Sequence, residues 1–114
     1  MAAPVRTASA LFGVLVVAGS AAGEERALVL PHVEGERQGG IVGRAMACGA
    51  PEADTRRAAQ AASERMRRAV GQAQWQDRFL PAFNDAVALA SQLPEAACDR
   101  ALAALSGLER GSTP

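Results

Sequence analysis

Apolar positions follow two different patterns along this chain. Up to Gly23 they run almost without polar interruption, with an apolar stretch from Ala8 to Val17 and a tract of Ala, Gly and Ser from Ala18 to Gly23. From about Gly40 onward they recur every three or four residues, the spacing that puts them on one face of an α-helix. The chain between, Glu24 to Gly40, has neither pattern. It holds a charged triplet, the short run Ala27-Leu28-Val29-Leu30-Pro31 and a Gly-bearing polar stretch from His32. It reads as an irregular N-terminal arm over residues 23–40, punctuated by Pro31 and Gly39-Gly40, from which Leu28 and Leu30 can dock on the helical core.

Four helices are predicted after the arm. The first spans about Gly40 to Cys48, with Ile41, Val42, Ala45 and Met46 on one face, and is closed by Gly49 and Pro51. A second runs from Pro51 to about Gln72 and opens with Glu52 and Asp54 at the positive end of its dipole. Ala58, Ala59, Ala62, Met66, Ala69, Val70 and Ala73 fill an arc of roughly 120 degrees on it, and Arg56, Arg57, Gln60, Glu64, Arg67 and Arg68 lie opposite. The third, about Gln74 to Leu93, carries Trp75, Phe79 and Phe83 at four-residue spacing, and Pro81 on its polar side marks a kink or a restart. Pro94 suits the first position of the fourth, whose stripe is Ala97, Cys98, Ala101, Leu102, Leu105 and Leu108. The fold expected is all-α: a small bundle of three to four short helices over residues 41–110, with a flexible tail at 111–114.

The N-terminal 22 residues match a secretory signal peptide, with Arg6 in the head, the apolar run, and Ser20-Ala21-Ala22 placing cleavage after Ala22, or one residue earlier at Gly19-Ser20-Ala21. An uncleaved anchor would need about 20 apolar residues; this run is shorter, and no stable membrane insertion is expected after cleavage. The expected location is periplasmic or secreted. All 12 basic residues are Arg, and the excess of Ala, Arg, Gly and Pro fits a high-GC bacterial genome.

Export changes the meaning of the two cysteines. Cys48 and Cys98 would sit in an oxidising compartment, where a disulfide is the default, and Cys-x-x-Cys redox spacing is absent. Such a bond would pin the first helix to the fourth. In the chain-entropy model a loop of about 50 residues is worth about 4 kcal/mol, a large share of a small domain's stability.

Charge and chemistry exclude more than they propose. The 12 Arg are matched by 12 acidic residues, and removal of the signal takes away only Arg6, so bulk charge does not drive binding to nucleic acid or anionic lipid. His32 is the single histidine, without clustered metal ligands or a nucleophile to serve, and no haem, phosphate-loop or calcium-loop motif occurs. The expectation is no catalysis, no metal and no cofactor. Two candidate surfaces remain: the Arg56, Arg57, Arg67 and Arg68 face for a carboxylate or phosphate on a partner, against the plainer reading of a solvated face; and Trp75, Phe79 and Phe83 as walls of an apolar ligand site, against plain core.

In size, export and two cysteines about 50 residues apart, Cys48 and Cys98, the chain is similar to periplasmic acid-stress chaperones and to helical immunity proteins of secretion systems. No motif along the chain accompanies that likeness. It implies a protein-interaction module (an inhibitor, immunity factor, chaperone or accessory subunit) whose partner is another extracytoplasmic protein. A carrier of a small apolar ligand is the alternative. A dense centre with an exposed apolar patch on the arm or second helix favours the first class, and a cavity behind the aromatics the second.

Overall fold

The computed structural model describes residues 29–111, all helix and connecting turns. The signal peptide, the start of the arm and the end of the tail lie outside the described residues. Helix α1 is Pro31–Ala47, α2 is Glu52–Val70, and α4 is Cys98–Arg110. Between α2 and α4 a single helical run over 72–91, here α3, joins Gln72–Gln74, a π turn Trp75–Phe79 and Leu80–Ser91. The all-α expectation holds, and Cys48 is bonded to Cys98 with Cα atoms 5.5 Å apart.

The first correction concerns the irregular arm. Residues from Pro31 to Gly40 are helical, and Pro31 occupies the first turn, where its missing N–H costs nothing. Glycine weakens a helix interior by about 1 kcal/mol relative to Ala, but here it is the contact surface. A Cβ on Gly35 would lie 2.6 Å from the Phe79 carbonyl, and one on Gly43 2.7 Å from Ala90 Cβ; one on Gly39 would collide with the Phe83 carbonyl. The stripe Gly35, Gly39, Gly43 therefore seats the backbone of α3 directly on α1, with Ala82, Ala86 and Ala90 facing it. Since the contacts advance together along both helices, α1 and α3 run parallel.

Helix α1 is the centre of the molecule, touching α2, α3 and α4, and its buried residues extend from Gly35 to Ala45. Helix α2 packs mainly on α4, and the later part of α3 rests on α1 alone to any extent. Ile41, Val42 and Ala45 meet Ala58, Ala62 and Met66, Phe79 and Phe83, and Leu105 and Leu108 in one cluster.

Three boundaries also differ from expectation. Pro81 does not break α3. Its ring conflicts with the carbonyl four residues back, and the wider π turn immediately before it takes up that conflict, so the helix continues. Pro94 does not open α4, which begins at Cys98; the Glu95 carboxylate accepts the Ala97 backbone N–H (3.0 Å), a local bond that competes with an earlier start. Helix α3 ends at Ser91, so Leu93, its expected last residue, falls beyond it and is exposed.

Candidate functional site

The start of α1 and the C-terminal half of α2 run side by side and leave an open groove of about 340 Å³. Val29, Leu30 and Val33 form one wall, Met66 and Ala69 the other. The residues of the first wall are exposed, Leu30 55%, Val33 43% and Val29 39%, as are Leu89, Leu93 and Met46 elsewhere on the surface. Along its first turns α1 has α2 on one side and the start of α3 on the other, and among the described residues no further helix covers Val29, Leu30 and Val33.

Three polar side chains border this groove: Glu34, Gln38 and Arg65. Glu34 accepts from Arg37 (2.9 Å) and from Gln38 Nε2 (2.8 Å). The Arg37 hydrogen bond lowers the Glu34 pKa; partial burial opposes it, and the Gln38 bond and the Arg37 charge assist. Gln38 is buried, and with its Nε2 committed to the carboxylate its Oε1 has no hydrogen-bond partner among the described residues. Exchanging the amide's O and N would aim the oxygen at the Glu34 carboxylate, so the orientation is fixed by charge. Arg65 donates to the Leu108 carbonyl at the end of α4 (3.1 Å) but pairs with no carboxylate among the described residues. Desolvation, and then the charge of Arg68, lowers its pKa.

The Glu34 shift has a consequence for acid stability. Its folded pKa lies below the unfolded value, so its contribution is complete above the unfolded value, about 4.3, and is lost as pH falls through the folded one. Unfolding midpoints should stay flat from neutral to about pH 5 and drop below about pH 4. Glu34→Gln should start lower at neutral pH and show a shallower acid limb, read by urea titration at each pH. Superimposable acid limbs would remove Glu34 from the explanation.

The arginine face reads differently once placed. Arg56, Arg57, Arg67 and Arg68 are all exposed on α2, yet each has a neighbour. Arg56 faces Glu52 (3.6 Å), Arg68 faces Glu64 (3.8 Å), and Arg57 bridges Asp54 and Glu109 of α4, the latter at 3.1 Å. Arg67 lies over the Trp75 ring, 5.6 Å from its centroid. Exposed pairs of this kind contribute little stability.

The aromatic residues are placed in and around the core. Phe79 is fully buried and Phe83 nearly so, their ring centroids 5.4 Å apart. Trp75 is half-buried and donates its indole N–H to Ser63 Oγ (2.6 Å). None of the three lines the groove just described. His32 lies on the other side of α1 with Glu36, Asp77, Arg78 and the exposed Leu89 around a second open hollow of about 580 Å³, and among the described residues no three His, Cys, Asp or Glu side chains converge as a metal site. No described helix is long and apolar enough to cross a membrane.

Reading the periodicity alone missed Val33, Gln38 and Arg65. Leu30 and Val33 stand three apart, and Arg65 precedes the buried Met66; both signals were present, but only a helix starting at Pro31 brings them together. Comparison with known proteins supplies no relative: no family model, no curated protein and no solved structure matches the chain.

Proposed function

We propose that this is an exported, periplasmic bacterial protein-interaction module without enzymatic activity, which binds another extracytoplasmic protein through the α1/α2 groove. The observation that carries the reading is the contrast between a centre packed to near-zero exposure and three aliphatic residues left open at the start of α1. A core of this kind has no use for Val29, Leu30 and Val33 in water, whereas an interface does. The disulfide fits an oxidising compartment. Burial of Phe79 and Phe83 in the core weighs against the carrier alternative and leaves it only the half-buried Trp75 as a wall.

The test is capture from a native periplasmic extract by the full chain, processed in its host and tagged at the C-terminus, at neutral and mildly acidic pH, beside Val33→Asp. One stoichiometric partner held by the parent and lost by Val33→Asp is the expected result, with the recovered bait beginning at Gly23. Many clients in acid only would make it a chaperone. An empty bait at both pH values would return the weight to a small-ligand carrier.

A further inference from the structure

The second hollow, of about 580 Å³, lies along the seam between α1 and α3, on the side of α1 away from the groove. Its apolar part comes from α3: Pro81 and Leu89, with Ala82 and Ala86 at the seam. Leu89 is 65% exposed, more than any wall residue of the α1/α2 groove. Three carboxylates, Glu36, Asp77 and Asp85, share the hollow with one guanidinium, Arg78. All four side chains are exposed, and none enters an ion pair among the described residues. Elsewhere Glu34, Glu52, Asp54, Glu64 and Glu109 each face an arginine. With His32 counted as neutral, the hollow therefore sets a surplus of two negative charges beside open apolar surface.

We propose that this hollow docks a basic amphipathic helix of a partner protein, with Lys or Arg beside Asp77 and Asp85 and apolar side chains over Pro81 and against Leu89. Charge complementarity selects the occupant: an apolar face alone would accept any apolar segment, whereas the acidic rim turns anionic ones away. The register follows from α3. Asp77, Pro81, Asp85 and Leu89 stand four apart and line the same hollow, so charged and apolar positions alternate along one ridge at a rise of about 6 Å. A helix carries the same four-residue ridge and can match that alternation, and two cations on it would offset the surplus charge. A second copy of this chain is the poorer fit, because Arg56, Arg57 and Arg68 of α2 already face carboxylates and Arg67 lies over Trp75. The hollow adds a second contact surface to the interaction reading and does not depend on the α1/α2 groove.

The probe is a fluorescein-labelled peptide, Lys-Ala-Ala-Gln-Leu-Ala-Ala-Gln-Arg-Ala-Ala-Gln-Leu, capped at both ends and titrated with the full chain, processed in its host, by fluorescence anisotropy. A second peptide with Glu in place of Lys and Arg is the control. The basic peptide is expected to bind about tenfold more tightly than the acidic one, and to lose affinity as salt is raised. Asp77→Asn with Asp85→Asn should abolish that preference, and Leu89→Ser should weaken the basic peptide about fivefold while leaving the preference in place. Asp77→Lys with Asp85→Lys should reverse it in favour of the acidic peptide, a result that a merely destabilised fold does not give. The substituted side chains are exposed and outside the core, so thermal melts of the variants should match the parent.

Equal binding of the two peptides, or binding of neither, would overturn the inference while leaving the groove reading to stand or fall on Val33→Asp in the extract. Loss of the basic peptide in Val33→Asp but not in Leu89→Ser would overturn it by placing the peptide in the groove. A dimer in sedimentation that Leu89→Ser dissociates would overturn it too, because a second copy would then be the occupant. Retention of the basic peptide by Val33→Asp, together with its loss in Asp77→Asn with Asp85→Asn, is the pattern expected of two separate surfaces.

Discussion

Replacing Gly39 by Ala should destabilise the protein by about 3 kcal/mol, whereas the same change at the adjacent Gly40 should stabilise it by about 0.5 to 1 kcal/mol. Both glycines are helical and buried, so composition and accessibility alone predict the same result for both. The difference lies in what a Cβ would meet. At Gly39 it collides with the backbone of α3 at Phe83, with Ala86 Cβ only 3.0 Å away, and neither can yield without moving the whole helix. At Gly40 it meets the side chain of Arg44 at 3.1 Å, the far end of a flexible group that swings into solvent. Without a steric penalty, the gain in helix propensity and the loss of unfolded-state freedom decide the sign. Urea unfolding followed by the fluorescence of Trp75 separates the two. Equal midpoints for Gly39→Ala and Gly40→Ala would mean that α3 does not rest on the α1 backbone.

That pair of glycines also explains where the sequence is readable and where it is not. Helices α2 and α4 follow from periodicity because each buries one face, and Ala58, Ala62 and Met66, or Ala101, Leu105 and Leu108, are that face. Helix α1 is surrounded on several sides, so it has no polar stripe to set a period, and its small residues resemble loop residues. Gly35, Gly39 and Gly43 have the spacing of a contact ridge, and Ala82, Ala86 and Ala90 have the matching one, but pairing them requires knowing that the helices are parallel neighbours. Local propensity opposed the tertiary contact, and the contact prevailed. Pro81 is a similar case on a smaller scale, since no single-residue rule anticipates that a π turn at Trp75–Phe79 will carry a helix through a proline.

The candidate groove inherited the same difficulty. With the first helix expected to start near Gly40, Leu30, Val33 and Gln38 belonged to an arm, and Arg65 was one more arginine on a charged helix. Once Pro31 starts α1, those residues fall opposite Met66 and Ala69. The arginines that periodicity did single out are the ones with acidic or aromatic neighbours. Arg65 stands apart because α4 ends against it, a long-range fact that no local pattern encodes.

Loss of the Cys48–Cys98 bond should cost about 4 kcal/mol, within the usual range of about 2 to 5. It closes a loop of 50 residues, and that loop contains all of α2 and α3, so the reduced denatured chain regains nearly the full freedom of the domain. The native state has little to replace the bond. Cys48 caps the end of α1 and Cys98 is the first residue of α4, while the connection 92–97 is non-helical and α3 rests mainly on α1. Without the cross-link, α4 keeps its packing through Ala101, Leu105 and Leu108, but its first turn has only the Ala97 to Glu95 bond ahead of it. The double variant Cys48→Ala with Cys98→Ala, which leaves no lone thiol to pair between molecules, should melt on the order of 20 °C below the parent, given about 4 to 8 °C per kcal/mol for a domain of this size. Reduction of the parent with dithiothreitol should reproduce the loss. Hydrogen exchange then locates it: with the bond acting on the unfolded ensemble, protection falls uniformly across the core, whereas a purely local role would open the first turn of α4 and leave Phe79 and Leu108 protected as before. A melting temperature unchanged by both treatments would deny the bond any structural role.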